Sequence, residues 1–171
     1  YFGGGMNAIV FQELRESRGL AYSAYAKYDS PYRLGGNENF YTYIITQNDK
    51  MMDCVKEFNK LLNNVPVRQS GFDLAKQSLM KSLASNRTTK YAILTSYLAA
   101  QRLGIDYSLS EKIYKAIPSL QLQDVINFEK EYIANKPFKY IILGDEKELD
   151  LKALEKIAPI RKVTTEEIFG Y

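Results

Sequence analysis

The chain has 171 residues, 46% of them apolar and 25% charged, with a net charge of +3, the balance of one globular domain large enough for its own core. Its 23 basic residues are spread along the chain and often sit beside acids, as in Arg15-Glu16 and Glu129-Lys130-Glu131. The basic stripe that nucleic-acid binding requires is therefore missing. There is no histidine, which removes the usual zinc ligand and the usual proton acceptor of serine and cysteine hydrolases, and no tight run of Asp and Glu offers a magnesium site in their place.

In chain order, Met6, Ile9, Val10 and Leu14 recur at helical spacing and predict a helix over residues 6–18. Gly3, Gly4 and Gly5 lead into it, and Gly19 is its expected C-cap. Residues 21–28 read as a strand, with Tyr22, Ala24, Ala26 and Tyr28 on one face and Ser23, Tyr25 and Lys27 on the other. Asp29-Ser30-Pro31 and Gly35-Gly36-Asn37 bound a loop, and residues 40–46 supply a second strand, giving an antiparallel hairpin. Asp49 is placed to cap a helix carrying Met51, Cys54, Val55, Phe58, Leu61 and Leu62, which Asn63-Asn64-Val65-Pro66 stops. Ser70 and Asp73 resemble a capping box for a helix that reaches about residue 86. Helices follow over 91–103, ended by Gly104, over 110–117, and from a Ser119 cap to about residue 133. Residues 138–143 form a short apolar run between Pro137 and Gly144-Asp145, the length of a buried strand. A short helix over 150–157 and the segment 164–171 close the chain.

This order predicts a single α+β domain over residues 1–171, with helices on one face of a mostly antiparallel sheet. Three strands are few for so many helices, so at least one strand is expected upstream of Tyr1, whose Tyr1-Phe2 opening reads as the middle of a longer chain. No apolar run approaches the length of a membrane span. The single cysteine, Cys54, excludes an internal disulfide and, sitting between Met51 and Phe58, reads as a core thiol rather than a nucleophile. The three glycines read as a turn or a close packing point, because the lysine and hydroxyl residue of a phosphate-binding loop do not follow. Tyr41 and Tyr43 share a strand face, read chiefly as sheet packing, with a wall for bound peptide as the alternative.

Three runs carry a more specific signal: Phe2-Gly3-Gly4-Gly5-Met6, Phe11-Gln12-Glu13-Leu14-Arg15-Glu16 and Arg18-Gly19-Leu20-Ala21-Tyr22-Ser23. In this order they resemble the C-terminal, non-catalytic domain of pitrilysin/insulinase zinc metallopeptidases. The later elements agree in pattern to about residue 145, and the closing Glu166–Tyr171 looks like a natural chain end. The resemblance implies one half of a two-part enzyme that closes around a chamber. The zinc and the His-x-x-Glu-His motif belong to the catalytic domain of the other half, and this chain has no counterpart of that motif. Here the implied cofactor is zinc in the partner domain, none in this chain. The implied partners are a peptide substrate and the catalytic half of the same or another chain. The resemblance fits a bacterial periplasm, envelope or cytoplasm.

In active members of the family the partner half sends an arginine and a tyrosine toward the zinc site, seven positions apart. Arg15 and Tyr22 match in type and spacing. Guanidinium and phenol are both hydrogen-bond donors, and two donors aimed at a peptide carbonyl would orient it and stabilise the oxyanion formed when water adds. Taken singly, Arg15 is a helix arginine beside Glu16, and Tyr22 is one of fourteen tyrosines that could pack on a strand. Arg18 is read as a charge favouring the helix C-terminus. The alternative within the same fold is a catalytically inactive assembly or scaffold domain.

Overall fold

The computed structural model describes all 171 residues. The chain after Tyr1-Phe2 doubles back, so that the first amides of the first helix are satisfied by main chain rather than by a capping side chain. Ile9 N–H donates to the Tyr1 carbonyl at 3.1 Å and Val10 N–H to the Phe2 carbonyl at 2.9 Å. The helix, α1, comprises a turn at Ile9–Phe11 that continues without a break into Gln12–Glu16, wound as a π-helix. It begins later than its apolar spacing suggests. Met6 lies outside it and is exposed, while Ile9, Val10 and Leu14 are buried as expected.

Gly3 is the one glycine of the lead-in that packing requires. Its carbonyl accepts from Ala26 N–H at 3.3 Å, so the lead-in runs beside the strand edge. A Cβ added there would lie 2.3 Å from Ala26 N. Gly4 and Gly5 have nothing within 4 Å of the same point.

Strand β1 (Ser23–Asp29) pairs antiparallel with β2 (Asn39–Ile45), Tyr25 opposite Tyr43 and Ser23 opposite Ile45. The predicted alternation holds along both strands. Ala24, Ala26, Phe40 and Ile44 face the core, and Tyr25, Lys27, Tyr41 and Tyr43 face outward. Helix α2 (Met51–Asn63) lays Phe58, Leu61 and Leu62 into the same core with Val10 and Leu14 of α1, and buries Cys54 as well. Burying each such side chain contributes about 1.5–3 kcal/mol.

The helices that follow are α3 (Gln69–Ser85), α4 (Lys90–Leu103), α5 (Leu109–Ala116), α6 (Leu122–Tyr132), α7 (Leu151–Glu155) and α8 (Thr165–Phe169). Three of the expected caps are displaced. Ser70 lies inside α3, which starts one residue earlier, and Asp49 lies in a 3-10 turn, Asn48–Lys50, ahead of α2. Helix α6 is capped two residues beyond Ser119, where Asp124 accepts from Gln121 N–H at 2.8 Å. Thr89, Ser108, Asp150 and Thr164 do cap their helices with side-chain oxygens.

Helix α4 buries none of its residues and meets the hairpin loop at its far end, where Leu34 N–H donates to the Arg102 carbonyl at 2.7 Å. The expected strand over 138–143 does not form. These residues join no sheet, and Ile141 and Leu143 are exposed. Only Phe138 reaches the core, against Phe40. An apolar run becomes a buried strand only where a neighbouring strand offers free amides and carbonyls, and here the sheet has two strands. The architecture is α+β, with an antiparallel hairpin whose inner face packs on α1 and α2.

Replacing Gly3 by Ala should lower stability by about 1–3 kcal/mol, since the clash is with backbone, while Gly4→Ala should be near neutral. Urea unfolding of the two variants against the parent chain measures the difference.

Candidate functional site

The corner between α1 and β1 is built from backbone groups that each find a partner. The π turn shows in Ser17 N–H donating to the Gln12 carbonyl at 2.9 Å, five residues back. Gly19 N–H then donates to the Arg15 carbonyl at 3.0 Å, and the Leu14 carbonyl accepts from Leu20 at 2.8 Å and from Ala21 at 3.3 Å. Gly19 takes φ +58°, the left-handed conformation expected of a C-cap glycine.

Three side chains hold the outward carbonyls of the corner. Thr46 Oγ1 donates to the Leu20 carbonyl at 2.6 Å, Cys54 Sγ lies 3.2 Å from it, and Lys50 Nζ donates to the Gly19 carbonyl at 3.2 Å. Arg18, read from the sequence as a helix-dipole charge, instead pairs with Glu57 of α2 at 3.2 Å. Tyr22 N–H closes the corner onto β2 through the Ile45 carbonyl at 2.8 Å.

This corner brings Arg15 and Tyr22 together. The Arg15 guanidinium carbon lies 4.7 Å from the Phe11 ring centre and 5.9 Å from that of Tyr22, within reach of a cation–π attraction. Tyr22 is 76% exposed. It sits one residue before β1 begins, so the strand alternation that would have turned it inward with Ala24 does not hold it. The Arg15 side chain is 43% exposed, and its carboxylate neighbour, Glu16, stands 3.8 Å from Nε, an exposed pair that contributes under about 1 kcal/mol. The guanidinium is thus propped between two rings with its donors free to meet a ligand. Phe11 is the supporting residue that spacing did not single out. It lies four positions before Arg15, the distance at which helix neighbours meet.

Outward from the corner the hairpin presents a tyrosine face. Tyr25 stacks at a tilt on Tyr43, centres 5.2 Å apart, and meets Tyr41 edge-on at 6.3 Å. No other element covers them, and each remains more than a third exposed. Sheet packing of Tyr41 and Tyr43 is therefore confined to contacts within the hairpin face.

The residues do not fit zinc. The chain has no histidine, and no three of its Cys, Asp and Glu side chains stand where they could hold a metal ion. Cys54 is buried, and burial pushes its thiol above the ordinary range, which keeps it protonated and unreactive. No helix is long and apolar enough to cross a membrane.

Residues 1–79 match the family described as the peptidase M16 inactive domain. An uncharacterized zinc protease of Rickettsia felis is 31% identical over 143 residues, a match covering 82% of this chain and 32% of that protein. The crystal structure of a peptidase M16 inactive domain from Pseudomonas fluorescens shares the fold. It gives a TM-score of 0.63 at 21% identity, covering 80% of this chain and 36% of that one. The chain thus spans about a third of the length of each. The matched residues hold all three runs that carry the resemblance, including Arg15 and Tyr22. Residues 1–79 thus match the inactive domain of the peptidase M16 family, the pitrilysin and insulinase resemblance carried by the three runs, and the chain as a whole shares that domain's fold.

Proposed function

We propose that this domain holds a peptide substrate for a zinc site carried by another domain, with Arg15 and Tyr22 donating hydrogen bonds to a peptide carbonyl oxygen. The observation that carries the reading is the convergence of an exposed guanidinium and an exposed phenol at one braced corner, 5.9 Å from guanidinium carbon to ring centre. A fixed pair of donors stabilises developing negative charge on oxygen without reorganising during the reaction. Arginine suits the task because its charge survives at any working pH and its guanidinium can lie over the Phe11 ring while it donates. The Tyr25, Tyr41 and Tyr43 face lies on the same hairpin and offers apolar ring surface with hydroxyl tips to the peptide beyond the reacting bond. The metal and the group that activates water belong to the partner domain in this reading, since this chain has ligands for neither.

Two outcomes follow. The isolated chain should retain no stoichiometric zinc after dialysis and should cleave no peptide. Metal analysis together with a chelator-sensitive peptidase assay checks this, and retained zinc with matching activity would overturn the reading. In the complete protein, with its zinc-binding domain, Tyr22→Phe should lower kcat by about 10²–10³-fold, the usual effect of losing one oxyanion donor. Its stability should stay within about 0.5 kcal/mol, because the side chain is exposed. Steady-state kinetics beside thermal unfolding separates the two effects, and wild-type turnover in the variant would remove Tyr22 from the site.

A further inference from the structure

Away from the Arg15–Tyr22 corner, a groove of about 640 Å³ opens between the inner face of the hairpin, α3, α6 and the glycine lead-in. Hydrophobic residues make up 17 of the 26 that line it, among them Phe2, Phe40, Phe72 and Ile133, so its natural occupant is mostly apolar. One charged group breaks that pattern. Glu129 of α6 lines the groove at 5% exposure, and its Oε1 has no hydrogen-bond partner. A buried carboxylate left unpaired is strongly unfavourable, and burial pushes the Glu129 carboxyl above its usual range.

No cation of the chain forms an ion pair with it, and the attraction of Lys130 is outweighed by burial. Lys76 also lines the groove, but its ammonium already donates to the Pro118 and Leu120 carbonyls at 3.0 and 2.9 Å. Lys130, the next residue of α6, is exposed. At Gly4 and Gly5 the main chain bordering the groove stands open, with nothing within 4 Å of where a Cβ would be. A second backbone can therefore come close there. The relatives are more than twice as long as this chain, so they contain further polypeptide that could lie there.

We infer that the groove receives an apolar polypeptide segment carrying one lysine, whose ammonium reaches Glu129. Lysine suits a mostly apolar groove because its ammonium is a compact point charge at the end of a flexible apolar stem. The apolar flanks cover Leu74, Leu79 and Phe128, which the groove leaves exposed, while the charge pair forms out of water. This site is independent of the peptide-holding role, since neither Arg15 nor Tyr22 lines the groove.

The test uses the chain as it stands with two five-residue peptides, blocked at both ends. One has lysine at the centre of a Leu-Val and Val-Leu frame, and the other has norleucine at the same place. Binding is read by calorimetry and by amide shifts at the groove. The lysine peptide should bind at least tenfold tighter than the norleucine peptide, and Glu129→Gln should erase that gap. The same variant, unliganded, should show a higher Tm, because it removes an unpaired buried charge. Four results would each overturn the inference: equal affinity for the two peptides, a gap that survives Glu129→Gln, a lower Tm in that variant, or n-hexylammonium binding as tightly as the lysine peptide, which would make this a small-amine site.

Discussion

The Leu14 carbonyl is the hinge of the molecule. Helix C-termini leave carbonyls without intrahelical partners, and a π turn shifts the bonding by one residue, so the corner after α1 has to be closed by other groups. Leu20 and Ala21 both donate to Leu14, Gly19 supplies the left-handed step that lets them turn back, and Thr46, Lys50 and Cys54 attend to the carbonyls that remain. These partners come from α1, from the segment after β2 and from α2, so the corner forms only when hairpin and helices are already packed. The side chains that project from it inherit that rigidity.

Rigidity at this point matters because hydrogen-bond donors assist acyl chemistry only when they are already in place. A lone arginine on a helix surface samples many rotamers. Here Phe11 and Tyr22 flank the guanidinium, restricting it without using up its N–H groups. π turns within α-helices are frequent at functional sites, and this one carries Arg15 in its last turn. The outcome is a positively charged, donor-rich corner in a chain with no metal ligand set, an arrangement that is chemically complete only when apposed to a second site.

The same incompleteness shows on the opposite side of the hairpin. Its inner face is covered near Ala24 by α1 and α2 but stays open toward α3 and α6, where Glu129 lacks a partner. Ile141, Leu143 and the apolar residues of α4 are likewise exposed. Backbone polar groups thus find partners at the corner, while at the groove a buried carboxyl oxygen and part of an apolar wall do not.

Much of this was legible from residue order. Periodicity marked α2 and the two strand faces, since Phe58 and Leu61, like Ala24 and Ala26, recur at the spacing of their own element and need no distant information. The Gly-rich lead-in, the Phe-x-x-Leu-Arg helix and the Gly-Leu-Ala-Tyr strand opening carried the family, and the spacing of Arg15 and Tyr22 followed from it. What local pattern could not convey depended on contacts between distant segments. The 138–143 run has the composition of a strand, yet strand formation needs an edge to join, which composition does not report. Tyr22 has the parity of an inward residue but sits beyond the end of the ladder. Gly3 was distinguished from Gly4 and Gly5 only by the approach of Ala26. Glu129 lay within an ordinary charged triplet until α3 and the hairpin closed around it. Local sequence thus determined the type and apolar face of the elements that need no distant partner to form, because those arise from spacing within a few residues. Tertiary structure alone decided which groups lost their water and which found a partner in return, because both depend on residues far away along the chain.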